Sequence, residues 1–109
     1  MGAERRKNPR VVVTDVTARV TVGGETLPGK LQDICRDAAL VEVERSFPLQ
    51  TLMTIEAELP GVKGAIRASG HVIRLAPYDD GRHSVAVLFD DLPKEHQLRI
   101  DLFISEQEG

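Results

Sequence analysis

The chain has 109 residues, 41% hydrophobic and 28% charged, which is the composition of one soluble globular domain with a real core and no room for a second. No apolar run approaches a membrane span, no secretory h-region follows the N-terminal charges, and a lone Cys35 rules out an internal disulfide framework, so a reducing cytoplasm is the expected compartment. Net charge is −3, from 14 Lys and Arg against 17 Asp and Glu, yet residues 1–10 carry four bases and one acid, so a basic knot precedes an acidic body.

That knot, Glu4-Arg5-Arg6-Lys7-Asn8-Pro9-Arg10, reads as a flexible basic segment. The charge asymmetry argues for a compact anionic ligand and against a broad nucleic-acid surface. From Val11 to Val22, the even positions Val12, Thr14, Val16, Ala18, Val20 and Val22 alternate with Asp15, Thr17, Arg19 and Thr21, the period of a half-buried strand. Gly23-Gly24 supplies a two-residue hairpin, and a return strand follows to Ile34 with Leu27, Gly29 and Leu31 on one face. Pro28 marks an edge or a bulge. Ala39, Val41 and Val43 then alternate with Leu40, Glu42 and Glu44.

Phe47-Pro48 breaks the pattern, and Thr51 to Leu59 resumes it with Met53, Ile55, Ala57 and Leu59 facing one way. After the Pro60-Gly61 turn, a long strand to Ala76 keeps Ile66, Ala68 and Val72 in register until the apolar parity slips to Ile73 and Leu75, which predicts a bulge near Gly70. Tyr78-Asp79-Asp80-Gly81 turns the chain into a sixth strand, with His83, Val85, Val87 and Phe89 on one face. Asp90-Asp91-Leu92-Pro93 opens a helix expected over about 92–106, packed through Leu98, Ile100, Leu102, Phe103 and Ile104. Six short strands closed by one helix predict a mainly all-β antiparallel barrel over residues 11–109, its helix flanking or plugging one end.

Catalytic and metal chemistry find little support. His71, His83 and His96 are isolated from one another and read as surface or sheet-edge residues, and without paired cysteines or His-x-His no metal site is expected. Cys35 has no nominated base beside it and reads as a small, partly buried thiol. Asp79-Asp80 and Asp90-Asp91 stand where turns and helix starts want Asp, so no general acid and base is read there and no enzyme is expected. Gly61-Val62-Lys63-Gly64 joins two strands and is a hairpin connection instead of a nucleotide clamp. Of Phe47, Tyr78, Phe89 and Phe103, two read as core, which leaves too few stacking platforms for DNA or RNA.

Two clusters remain. Arg5-Arg6-Lys7-Asn8-Pro9-Arg10 has the form RRxxxR directly upstream of the first strand, and Asp33-Ile34-Cys35-Arg36-Asp37-Ala38 lies at the second-to-third strand connection. Together with Ala68-Ser69-Gly70-His71-Val72-Ile73-Arg74 and Ser84-Val85-Ala86-Val87-Leu88-Phe89-Asp90, they make the chain resemble the PilZ family over nearly its whole length. That resemblance implies a six-stranded barrel with a C-terminal helix, cyclic di-GMP as ligand, no cofactor, an effector protein as partner, and no membrane insertion. It also implies the roles: Arg6 and Arg10 as the RxxxR pair, Arg5 as the arginine that accompanies a stacked pair of ligand molecules, and Asp33 on a guanine edge or an arginine. Arginine suits such a ligand because it forks onto phosphate or the guanine O6/N7 edge and also stacks.

The second cluster departs from the family pattern [DN]-x-S-x-x-G, with Cys35 in the serine place and Ala38 in the glycine place. Losing the hydroxyl costs about 0.5–1.5 kcal/mol. If the glycine place needs a left-handed backbone, Ala38 adds roughly 1–2 kcal/mol, and together the two changes weaken binding by about tenfold to several hundredfold. Two functions fit these residues: a cyclic di-GMP receptor and adaptor in bacterial signalling of motility, polarity or surface behaviour, and a PilZ-like protein-interaction module with weak or no ligand binding.

Overall fold

A computed structural model of the chain describes residues 11–77 and 79–108. Strands β1 (Val11–Val22), β2 (Glu25–Ile34), β3 (Ala38–Val43), β4 (Leu52–Glu58), β5 (Ala65–Pro77) and β6 (His83–Asp91) close an antiparallel barrel in the order β1-β2-β3-β6-β5-β4. Helix α1 (Lys94–Glu108) follows. The Gly23-Gly24 turn has φ of 58° and 84°, the left-handed pair that a two-residue hairpin requires, and it sets the Val22↔Glu25 register.

Alternation fills the interior. Val20, Leu31, Val41, Ile55, Ile66, Val72, Val85 and Val87 are fully buried inside the barrel, and Ile100 and Phe103 of α1 join the same core. The Pro93 carbonyl accepts the amides of His96 and Gln97, so the helix starts on a residue whose missing N–H costs nothing there. On β5, the Arg67 amide donates to His96 Nδ1 at 3.2 Å, and Arg99 Nη1 donates to the Ala65 carbonyl at 3.0 Å. An Arg36–Asp101 ion pair of 2.8 Å ties the β2–β3 connection to the helix.

Four side chains face otherwise than the sequence pattern predicts. Leu98 and Leu102 are 61% and 50% exposed. Each lies two residues from Ile100, about 200° round the helix, so both turn away from the barrel. Val12 is exposed, because two extra β1 residues between Val12 and Val16 break the ladder to β2. Ile73 is exposed as well, since it is the extra residue of a bulge between Val72 and Arg74, while Leu75 packs on the core.

The histidines also differ from a uniform surface set. His71 Nδ1 lies 2.9 Å from Asp90, and His83 encloses its Nδ1 without a hydrogen-bond partner among the described residues. Gly70 is required by close approach: a Cβ there would sit 2.1 Å from the Leu88 carbonyl oxygen, so any other residue wedges β5 from β6.

Candidate functional site

Strict alternation would send Asp33 into the core behind Leu31. It does not, because β2 carries one extra residue, Gln32, against β3: Leu31 pairs with Val41 and Asp33 already pairs with Leu40. The bulge turns the carboxylate to the barrel's outer side, where it is nonetheless buried, 8% exposed. The irregular stretch of β1, Val12 to Val16, faces this same part of β2, and the Ile73 bulge of β5 lies across β6 from it. Three ladder distortions thus surround one place.

That place is a slot of about 220 Å³ lined by Asp33, Cys35, Ala38, Ala39, Leu40, Ile73, Arg74 and Ala86. Three residues selected from the sequence, Asp33, Cys35 and Ala38, are therefore brought together. The Cys35 amide donates to the Ala38 carbonyl at 2.9 Å, closing the two-residue Arg36-Asp37 turn, and the Asp37 carbonyl accepts the Phe89 amide at 2.7 Å. The Cys35 thiol is free and buried against the slot.

Ala38 corrects one expectation. Among the described non-glycine residues only Gln50 and Asp80 have positive φ, so Ala38 sits in ordinary strand backbone, paired with Leu88. No left-handed penalty attaches to it. What alanine adds is a methyl group on the slot wall.

Arg74 was missing from the predicted set. It stands among the slot residues because the Ile73 bulge shifts the β5 pairing, so that Arg74 lies opposite Ala86 on the outer face. The parity slip at Gly70–Ile73 carried this signal, but read as ordinary alternation it places Ile73 inward and leaves Arg74 without a role.

The predicted arginines Arg5, Arg6 and Arg10 lie outside the described residues. Their point of attachment does not: Val11, bonded to Arg10, pairs with Ile34, the neighbour of both Asp33 and Cys35. The slot is polar at one end through Asp33 and cationic at another through Arg74, with an apolar floor between. Such walls can hold the face and edge of a planar base.

Two other hollows contain none of the predicted residues. One of about 400 Å³ opens at the seam where β1 leaves β4, and its Arg19 and Glu56 are already joined at 3.4 Å. The other, about 210 Å³, includes Lys30, Glu42, Glu44 and Arg82. Among the described residues no group of three or more His, Cys, Asp or Glu is placed to hold a metal ion.

A closed six-stranded barrel with one flanking helix and a slot beside its second hairpin defines a small single-barrel domain. Residues 4–106 match the family model described as PilZ domain, and the chain belongs to that family. Solved structures share its fold. The Bacillus subtilis inhibitor of motility, MotI/DgrA, is 14% identical with a TM-score of 0.80, the match covering 97% of this chain and 53% of that one. The PilZ domain of YcgR from Escherichia coli, solved with c-di-GMP, is 16% identical with a TM-score of 0.73, covering 96% and 94%. PlzA of Borreliella burgdorferi, in complex with c-di-GMP, is 16% identical with a TM-score of 0.66, covering 91% and 40%. The chain spans about half the length of MotI. No curated protein sequence matches it.

Proposed function

We propose that this chain is a cyclic di-GMP receptor and adaptor of bacterial signalling, with a barrel domain over residues 11–109 following the basic segment 1–10. The observation that carries the reading is the convergence of Asp33, Cys35 and Ala38 on one slot, joined there by Arg74 and reached by the strand to which Arg10 is bonded. Arg6 and Arg10 clamp phosphate and guanine edge, Asp33 accepts from a guanine donor edge or orients an arginine, and Arg74 adds a second cation. Arg5 favours a stacked pair of ligands. Two structures of the same fold, the YcgR domain and PlzA, were solved with c-di-GMP, which supports this ligand class. MotI, an inhibitor of motility, supports an effector protein in motility as the partner.

Cys35 and Ala38 are tolerated on this reading. With no left-handed backbone at Ala38, the weakening reduces to the lost hydroxyl, about 0.5–1.5 kcal/mol or about twofold to twelvefold. Titration calorimetry with cyclic di-GMP tests it. Heat from the wild type, absent in Arg6→Ala, supports the receptor; no heat from either the wild type or the Cys35→Ser, Ala38→Gly double variant overturns it.

A second reading, a docking module with weak or no ligand, draws on the exposed apolar side chains Leu52, Ile73 and Leu88 of the outer sheet face. Capture of an effector that is indifferent both to added cyclic di-GMP and to Arg6→Ala favours it. Capture only with ligand present counts against it.

A further inference from the structure

Gln32, the extra residue of the β2 bulge, is half-buried, and its Oε1 accepts a 2.9 Å hydrogen bond from the Ser84 hydroxyl of β6. Since β3 lies between β2 and β6, the side chain reaches across β3 on the outer side of the barrel. Gln32 and Asp33 together oppose Leu40, so they do not alternate, and both present their polar groups to that same side. Consecutive residues of a regular strand face opposite ways.

The bridge to Ser84 ends beside the slot. Ser84 and Ala86 point outward on either side of buried Val85, about 7 Å apart along the strand. Ala86 pairs with Leu40, and Leu40 with Asp33, and all three line the slot. The Gln32 amide therefore lies along one side of it, in the row next to Leu40 and Ala86. With Oε1 taken by Ser84, the amide nitrogen carries two N–H donors that have no partner among the described residues. Glu42, which pairs with Ser84 across the ladder, is held by Arg82 instead.

An acceptor and a donor on neighbouring residues suit one purine edge and reject the other. Guanine presents O6 beside N1–H and the N2 amine, so a carboxylate takes the two N–H groups while an adjacent amide donates to O6. Adenine reverses both positions: its N6 amine meets the amide donors, and its N1 lone pair meets the carboxylate. On the cyclic di-GMP reading proposed above, we infer that Gln32 is the residue that selects guanine, donating from Nε2 to O6 while Asp33 accepts from N1–H and the N2 amine. Adenine leaves a buried carboxylate and the amide both unpaired, which is the costly kind of mismatch.

Titration calorimetry of the full chain with cyclic di-GMP and with cyclic di-AMP tests the assignment. The wild type should prefer cyclic di-GMP by at least about a hundredfold. Gln32→Met keeps the side chain's length and removes its donors; it should weaken cyclic di-GMP by about twofold to twelvefold and leave cyclic di-AMP no weaker. Gln32→Glu keeps an acceptor for Ser84 but sets a carboxylate against O6. Its added charge repels the phosphates of both dinucleotides alike, so the preference is the readout, and it should fall at least about tenfold. Ser84→Ala breaks the same cross-strand bond and should shift the preference less than Gln32→Met does, with melting temperatures reporting the fold of each variant. A wild type that binds cyclic di-GMP, with the preference unmoved by Gln32→Met and Gln32→Glu or moved as far by Ser84→Ala, would overturn the role of Gln32 and leave the receptor standing. No heat from the wild type or from the Cys35→Ser, Ala38→Gly double variant would overturn both.

Discussion

Asp33 and Glu42 are both buried acids on neighbouring strands, each 8% exposed, yet their surroundings differ in kind. Glu42 lies on the unbroken β3–β6 ladder, accepts a 2.5 Å hydrogen bond from Arg82, and faces Lys30 across β2. Its hydrogen bond and charge lift the Arg82 guanidinium above its usual pKa. Asp33 lies past a bulge, at the end of a slot whose other walls are mostly small and apolar apart from Arg74. Burial of an acid therefore does not mark a binding site. What singles out Asp33 as a candidate is the distorted ladder that opens an apolar slot beside it.

The largest effect that could break this contrast is expected at the clamp. Arg10→Ala should weaken cyclic di-GMP binding by at least a hundredfold, about 2.7 kcal/mol, in titration calorimetry. Binding at wild-type strength would remove the arginine segment from the account. Asp33→Ala should follow at roughly ten- to a hundredfold, the worth of a hydrogen bond involving a charged group. Arg74→Ala should lower affinity by about three- to tenfold and leave the melting temperature unchanged, since the side chain is exposed.

Smaller effects sharpen it. Cys35→Ser should tighten binding by about twofold to twelvefold, whereas Ala38→Gly alone should change it by less than about threefold, because no left-handed backbone is being relieved. A large gain from Ala38→Gly would show that the methyl group blocks the slot. Glu42→Gln should leave affinity unchanged and lower the melting temperature, as read by circular dichroism. The Glu42–Arg82 contribution has a defined pH sense: a pKa raised on folding stabilises fully below the ordinary arginine value and is lost only as pH climbs through the raised one, so the difference between Glu42→Gln and wild type should hold constant across the physiological range.

Much of the barrel is legible in the sequence because alternation is enforced wherever a strand has one buried face. Met53, Ile55, Ala57 and Leu59 point inward as their spacing requires, and Gly23-Gly24 sets its hairpin through local backbone preference alone. What escaped reading lies at the bulges. One extra residue flips every side chain beyond it, so Ile73 turns outward and Arg74 joins the slot, while two extra β1 residues between Val12 and Val16 break the ladder beside Val12. Leu98 and Leu102 escaped for another reason: five apolar residues within seven positions overfill one helix face, and only packing against the barrel decides that Ile100, Phe103 and Ile104 occupy it. The grouping of Asp33, Cys35 and Ala38 was visible because all three sit on one short connection; the Arg74 contribution comes from a strand two places away in the barrel.

The contrast between the two acids is tested most directly by amide chemical-shift mapping of the isotope-labelled chain during a cyclic di-GMP titration. The account predicts saturable shifts concentrated at Asp33, Cys35, Ala38 and Arg74, with Lys30, Glu42 and Arg82 unmoved. Shifts centred on the Glu42 and Arg82 hollow, or no shifts at millimolar ligand, would contradict it.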